Sequence, residues 1–299
     1  MASPSVGVAR SARVSGRLYL HFWLGTAAFL ALFWAPFSNT ARAWWTNPDA
    51  GHGLLLAPLA IILAWRRGVS ADARPQPILG LLVISSAVML RYLSALAAEV
   101  FTMRLSMLGA AVGLVIYAWG IRQLLRWWLP ATLLLLSMPL PEILLSSLAL
   151  PLQFQASRMG AALLRFRHVP VLLAGNVIHL AGGHQLFVTE ACSGLRSLSA
   201  LIALGLLMGG VWLRTVPGRV SIMLLAVPIA MVLNAVRVFA TGFSVHYVDP
   251  ALGEGVMHFT QGWVMFGAAF AVLSATCWVV STVERRFMPA PMLPVEVTP

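Results

Sequence analysis

"CSGLRSLSALIALGLLMGGVWLR", residues 192–214, decides how this chain is read. It holds 17 uncharged residues between Arg196 and Arg214, with a cysteine and an arginine at its upstream mouth. A helix that crosses the hydrocarbon core of a bilayer needs about 20 predominantly apolar residues, and this stretch supplies them. The rest of the chain repeats the pattern. Of its 299 residues 60% are hydrophobic and only 10% charged, too little polar surface for a soluble domain. Further apolar runs cover 18–37, 52–65, 77–97, 101–120, 127–145, 219–240 and 258–282. Together with 192–213 they predict an all-α polytopic membrane protein with about eight transmembrane helices. The first run ends in "APFSNT", which is no small-residue cleavage site, so it reads as a retained signal anchor. The 52–65 run is short enough to be tilted or re-entrant.

The net charge of +11 comes with no lysine, since all 20 basic residues are arginine. They stand in short clusters between apolar runs, the pattern of topology signals and anionic-lipid contacts rather than of nucleic-acid binding. The absence of lysine also excludes a Ser–Lys dyad and a Schiff base. With the N-terminus in the cytoplasm and strict alternation, 12 arginines fall inside and 5 outside, which fits the positive-inside rule. The predicted organisation is a cytoplasmic segment 1–17, a membrane domain 18–286 and a cytoplasmic tail 287–299. The membrane domain carries an extracytoplasmic segment at 146–191.

That segment is the one sizeable polar part. Leu148, Leu152, Ala156, Met159, Leu163 and Phe166 recur at helical spacing with Gln153, Arg158 and Arg165 between them, which predicts an outer interfacial helix. "VPVLLA", "VIHL" and "QLFVT" follow, separated by Gly175-Asn176 and Gly182-Gly183, and predict a small β-meander. It leads directly into Glu190-Ala191-Cys192.

Ionisable side chains inside membrane helices are costly and mark function. On this topology Cys192 and Arg196 open the sixth span, Asn234 and Arg237 lie near the outer end of the seventh and share a face, and His258 opens the eighth, all at the outer side. Glu99 and His52 end spans on that side too. The structural alternatives are a packed thiol, a lipid-snorkelling Arg196, an interfacial histidine, and a Glu190 that caps a helix or pairs with an arginine. Convergence at one depth on three consecutive helices favours chemistry. A thiolate at a helix N-terminus is stabilised by the dipole and by nearby cations. A histidine moves its proton and an arginine holds an oxyanion, a set suited to acyl transfer through a thioester. Cys277 lies most of a bilayer away from Cys192, beyond the roughly 7 Å limit of a disulfide. Neither His-Glu-x-x-His nor Gly-x-Gly-Asp occurs, which disfavours zinc and aspartyl proteases, and no cofactor is expected. The rivals are a rhomboid-like serine protease built on Ser193, and a transporter or polysaccharide-export subunit.

"GHGLLLAPLAIILAWRR" (51–67), "EACSGLRSL" (190–198), "NAVRV" (234–238) and "HFTQG" (258–262) resemble, in order and spacing, the exosortase/archaeosortase family, over roughly residues 20–285. The resemblance implies a multi-pass cysteine transpeptidase with Cys192 as nucleophile, Arg237 as essential arginine and His258 as essential histidine. Arg196, Asn234 and Glu190 fall within or beside the same motifs and are taken as substrate-binding candidates. The implied partners are exported membrane proteins with a C-terminal sorting signal: a Pro-Glu-Pro-like motif, a transmembrane helix and a basic cluster. The implied setting is a bacterial inner membrane, with the active site on the periplasmic side.

Overall fold

The computed structural model describes residues 5–188, 195–249 and 255–287, apart from the side chains of residues 5–24, 142 and 255–259. The described chain is mostly helical. In order, its elements are α1 (Ser5–Thr46), α2 (Gly53–Arg67), α3 (Pro77–Leu96), α4 (Val100–Trp119), α5 (Ile121–Arg126), α6 (Trp128–Ser137) and α7 (Glu142–Phe166). Strands β1 (Val171–Ala174), β2 (Val177–Leu180) and β3 (Gln185–Phe187) follow, then α8 (Leu195–Trp212), α9 (Val216–Tyr247) and α10 (Gly255–Phe287).

The expectation of about eight crossings is met in part. Among the described residues five segments are long and apolar enough to span: α3, α4, α8, α9 and residues Thr260–Phe287 of α10. The 15-residue α2 and the 10-residue α6 fall short of the about 20 residues required. The span expected at 127–145 is broken at Met138–Pro141. Pro139 and Pro141 lack amide donors and bias the residues before them toward extended backbone, and Met138 sits at ψ 131°. The segment becomes α6, a four-residue break and the start of α7.

Three helices form the centre. Leu201 of α8, Ile222 and Ala226 of α9, and Leu273 and Cys277 of α10 are buried together. Cys277 is a free, buried thiol. The antiparallel pair α2–α6 packs on α8 through Leu56, Leu133 and Leu206. One end of that pair is tied by reciprocal bonds, Arg67 Nη1 to the Arg126 carbonyl (2.9 Å) and Arg126 Nη2 to the Arg67 carbonyl (3.1 Å). At the other end Trp44 Nε1 donates to the Ser137 carbonyl (2.7 Å) and His52 Nε2 lies 3.2 Å from that of Leu136.

Small residues set the helix–helix contacts, as expected where lipid competes equally for large apolar side chains. α3 and α4 form a close hairpin in which a Cβ on Gly80 would collide with the Tyr117 backbone. α7 shows the same rule. A helix occupies the first part of the 146–191 segment, and small residues make up most of its packed face. Phe166 is 79% exposed, whereas Ala149, Gln153, Ala156, Ser157, Gly160, Ala161 and Leu164 are buried. Gly160 lets the helix lie against Val238 of α9.

The meander is present with the order β1-β2-β3, antiparallel throughout. Val171 pairs with Leu180 and Ala174 with Val177, then Val177 with Phe187 and His179 with Gln185. Gly175, Gly182 and Gly183 turn it with φ of +63°, +92° and +83°, a region open to glycine. Ile178, Leu180, Leu186 and Val188 close over Leu164, Val238 and Val245. This packing explains why α9 runs to Tyr247 rather than stopping near residue 240, as the sequence suggested.

The opposite end of the central bundle is tied by Glu284 of α10, a buried carboxylate. It accepts from the Arg214 amide (2.9 Å) and from the Thr215 hydroxyl, and Thr215 Oγ1 in turn caps α9 by accepting from the Gly218 amide (3.1 Å). Arg219 Nε and Nη2 close the end of α8 on the Leu213 carbonyl, with the guanidinium 5.1 Å from the centre of the Trp128 ring. Glu284→Leu leaves buried donors unsatisfied and is expected to destabilise the fold by about 2 kcal/mol. Thermal unfolding in detergent measures it, and an unchanged midpoint would remove this role.

Candidate functional site

The depth of each group follows from helix arithmetic. Arg237 is 21 residues beyond Val216, about 32 Å along α9, and Gly262 is 22 residues before Glu284, about 33 Å along α10. Both start from the level of the Glu284 knot, so they meet one hydrocarbon thickness away from it, about 30 Å. The packing agrees with that arithmetic. A Cβ built on Gly262 would lie 3.3 Å from Arg237 Nη2 and 3.4 Å from its Cζ. The missing side chain thus lets the guanidinium rest against the backbone of α10. The Thr241 hydroxyl, one turn beyond Arg237, lies 2.7 Å from Gln261 Oε1 and 3.0 Å from the Arg237 carbonyl. It registers the two helices at this level. Asn234 is buried on α9 one turn toward the Glu284 end.

His258 lies in the first turn of α10, one turn beyond Gly262, and its side chain is outside the described residues. Cys192 and Glu190 also lie outside them. α8 begins at Leu195, three residues after Cys192, and Leu195 is 17 residues, about 26 Å, from the Trp212 end.

Arg196 projects from the first turn of α8 to Asp49, with Nε 3.0 Å from Oδ1. The pair is solvent-accessible, with side chains 47% and 41% exposed. Asp49 belongs to the loop between α1 and α2, where its amide donates to Asn47 Oδ1 (2.9 Å). His52, at the end of that loop, is pushed below the ordinary histidine value by burial, offset in part by its bond to Leu136. It is therefore the neutral imidazole that the fold accepts. Because the folded value is depressed, His52 supports the fold above the unfolded value of about 6.5 and this support is lost as pH falls below it. Between pH 7 and 5 the melting temperature is expected to drop more for the parent than for His52→Gln. Equal slopes would discard the point.

Glu99 is a cap rather than a site residue. It stands in extended conformation before α4, and its two oxygens accept from the Phe101 amide (3.1 Å) and the Thr102 amide (2.6 Å). Bonds from Thr102 hold its carboxyl below the usual carboxylate range.

Sequence reasoning missed several groups. Asn176 read as a turn residue. Its side chain donates to the Val188 carbonyl (3.2 Å) and reaches Gln153 Oε1 of α7 (3.4 Å), while its carbonyl accepts from the Val188 amide (3.0 Å). It fixes the last described residue before the Glu190–Cys192 stretch. Only its Gly-Asn position hinted at a role. Asp49, 147 positions from Arg196, gave no signal, and Gly262 lay unread inside the quoted "HFTQG".

A family model described as "Transmembrane exosortase" matches residues 44–275. No curated protein and no solved structure matches the chain. The match covers most of the chain and takes in the loop bearing Asp49, the meander, Arg196 on α8, and the Arg237–Gly262 contact. The chain therefore belongs to the transmembrane exosortase family.

Proposed function

We propose that this exosortase-family membrane protein is a cysteine peptidase or transpeptidase that cleaves the C-terminal sorting signal of exported proteins. In this reading the Cys192 thiolate attacks the carbonyl carbon of the scissile peptide. Arg237 stabilises the oxyanion. The C–N bond then breaks as His258 hands a proton to the leaving amine, leaving an acyl thioester on Cys192. Water resolves it to an acid, or an amine resolves it to a new amide. Asn234 steadies Arg237 from the next turn, and Glu190 contacts substrate beside the nucleophile.

The observation that carries the reading is the Arg237 guanidinium against Gly262, one helical turn from His258. Chain connectivity adds to it. Three residues span at most about 11 Å, so Cys192 is tethered that close to the N-terminus of α8, where the helix dipole favours a thiolate. The Arg196–Asp49 pair supports a carboxylate subsite. An exposed ion pair is worth about 0–1 kcal/mol, so the glutamate of a Pro-Glu-Pro-like motif can displace Asp49 from Arg196. Arg67 at the end of α2, Arg126 at the end of α5, and Arg214 and Arg219 between α8 and α9 lie at the end of the bundle that Glu284 ties. By the positive-inside rule that end is cytoplasmic, and the reactive groups face the periplasm across a bacterial inner membrane.

The test is co-expression with proteins bearing candidate signals, followed by mass spectrometry of the peptide containing Cys192. A substrate acyl group on that sulfur is the expected result. Signal removal with the acyl group on Ser193 instead would reject the cysteine mechanism.

A further inference from the structure

Beside the Arg237–Gly262 contact stands a polar side chain with no part in the chemistry so far, that of Gln261. At this level the outer face of α10 carries Trp263 and Val264, 64% and 59% exposed. Gln261, Gly262, Met265 and Phe266 make up its partly buried face, where Gly262 meets Arg237 and Phe266 packs on the central core. Position 258 shares that face, three residues before Gln261 and four before Gly262. Along α9, Thr241 stands four residues, about 6 Å, beyond Arg237, and along α10, His258 stands four residues, about 6 Å, beyond Gly262. The Gln261 side chain reaches Thr241. It therefore bridges the step between the level of the guanidinium and the turn that bears His258.

The amide is held at one end. Thr241 is buried, and its hydroxyl carries a single proton. The 2.7 Å separation from Gln261 is the length of an O–H···O bond, shorter than the about 2.9–3.0 Å of N–H···O. The hydroxyl therefore donates to Oε1. Nε2, with two N–H donors, is the end that Thr241 does not use, and among the described residues it has no partner. A glutamine on the packed face of a membrane helix is costly unless both ends of its amide are met. A peptide cleaved at a membrane surface makes the complementary demand. It must leave helical conformation for its carbonyl carbon to be attacked, and the carbonyl oxygens freed in this way need donors where water is scarce.

We propose that Gln261 is a second oxyanion donor. Its Nε2 and the Arg237 guanidinium together bind the scissile carbonyl oxygen, which takes up negative charge as the Cys192 sulfur bonds to the carbonyl carbon. The assignment rests on the peptidase reading and deepens it. Side-chain amides are among the groups that serve as such donors. Thr241 is then a positioning residue: its bond fixes the amide before substrate arrives, so that little reorganisation is needed as the charge develops. The rival role for the Thr241–Gln261 bond is a plain tie between α9 and α10.

The rate of Cys192 acylation by a signal-bearing protein, followed by mass spectrometry with the full chain in detergent, separates the two. Q261E keeps an oxygen to which Thr241 donates but, ionised, offers no donor. Q261L offers neither, and adds no charge that could pair with Arg237. Both are expected to lose roughly 10²-fold in kcat with KM within about threefold of the parent's, and Q261E to keep the parental melting temperature. T241V frees the amide without removing it and is expected to lose roughly tenfold, while T241V/Q261E loses no more than Q261E alone. Parental kcat in Q261E overturns the assignment, even if Q261L does not fold, and leaves Gln261 a tie. So does a loss carried by KM alone, a loss in Q261E that a folded Q261L does not share, or losses that multiply in the double variant. A parent that forms no acyl-enzyme removes the peptidase reading and this assignment with it, whereas a reactive parent beside an equally reactive Q261E removes this assignment alone.

Discussion

Replacing Cys192 by Ala is expected to abolish removal of the sorting signal while the chain still inserts and accumulates. The change deletes one sulfur and disturbs no described packing, since Cys192 lies outside the described residues. A thioester route has no substitute for the nucleophile, so the loss should be complete within detection rather than partial. Cys277 cannot stand in. It is buried among Leu201, Ile222 and Leu273, 15 residues, about 22 Å, along α10 from Gly262. Cys277→Ala should therefore leave processing intact. The measurement is the ratio of processed to unprocessed signal-bearing protein by immunoblot, normalised to membrane-inserted enzyme. Normal processing by Cys192→Ala would end the cysteine mechanism, whereas loss with Ser193→Ala alone would point to the serine alternative.

Removing the Arg237 guanidinium is expected to cost about 10²–10³ in the acylation rate, the scale of one lost oxyanion donor in a dry site. Arg237→Gln tests the charge. Arg237→Lys keeps the charge but loses the planar fork, and should recover only part of the rate. Gly262→Leu tests the geometry separately. Its side chain would occupy the space now held by the guanidinium, whose Nη2 lies 3.3 Å from the position of a Cβ. It should reproduce the defect with Arg237 still present. A structural role would show as a fall in melting temperature parallel to the fall in rate. A rate loss at an unchanged melting temperature separates the two. Full activity in Arg237→Gln would remove the oxyanion assignment and leave the nucleophile to be argued alone.

Much of the architecture was legible before any coordinates. Apolar runs separated by arginine clusters located α3, α4, α8, α9 and α10 to within a few residues at most ends. Gly-Asn and Gly-Gly placed both turns of the meander, because positive φ is a local property of glycine. The end of α6 was legible in principle as well. Pro139 and Pro141 were visible, but a hydropathy window runs through prolines that a helix does not tolerate. The opposite error occurred at α9. Its last turns carry "TGFSVHY", too polar for the apolar pattern, yet Val245 and Gly242 are buried, and Phe239 and Phe243 pack against the cluster formed with α7 and the sheet. The packed face of α7 was not legible. Amphipathy identifies which residues avoid water, but lipid and protein both satisfy that requirement, so large side chains do not mark the packed side.

What the sequence determined by itself is the class of the molecule, its basic clusters, and the order of the motifs that carry its family membership, since these rest on composition and on short-range spacing. What only the tertiary structure decided is which distant groups meet: Arg196 with Asp49, Arg237 with Gly262, Glu284 with Arg214 and Thr215. The physical reason is that a hydrogen bond or a close backbone approach depends on helix register and depth to within about an ångström. Hydropathy fixes a helix in the bilayer only to within a turn, and it leaves the rotation of that helix about its own axis to be set by small-residue packing against its neighbours.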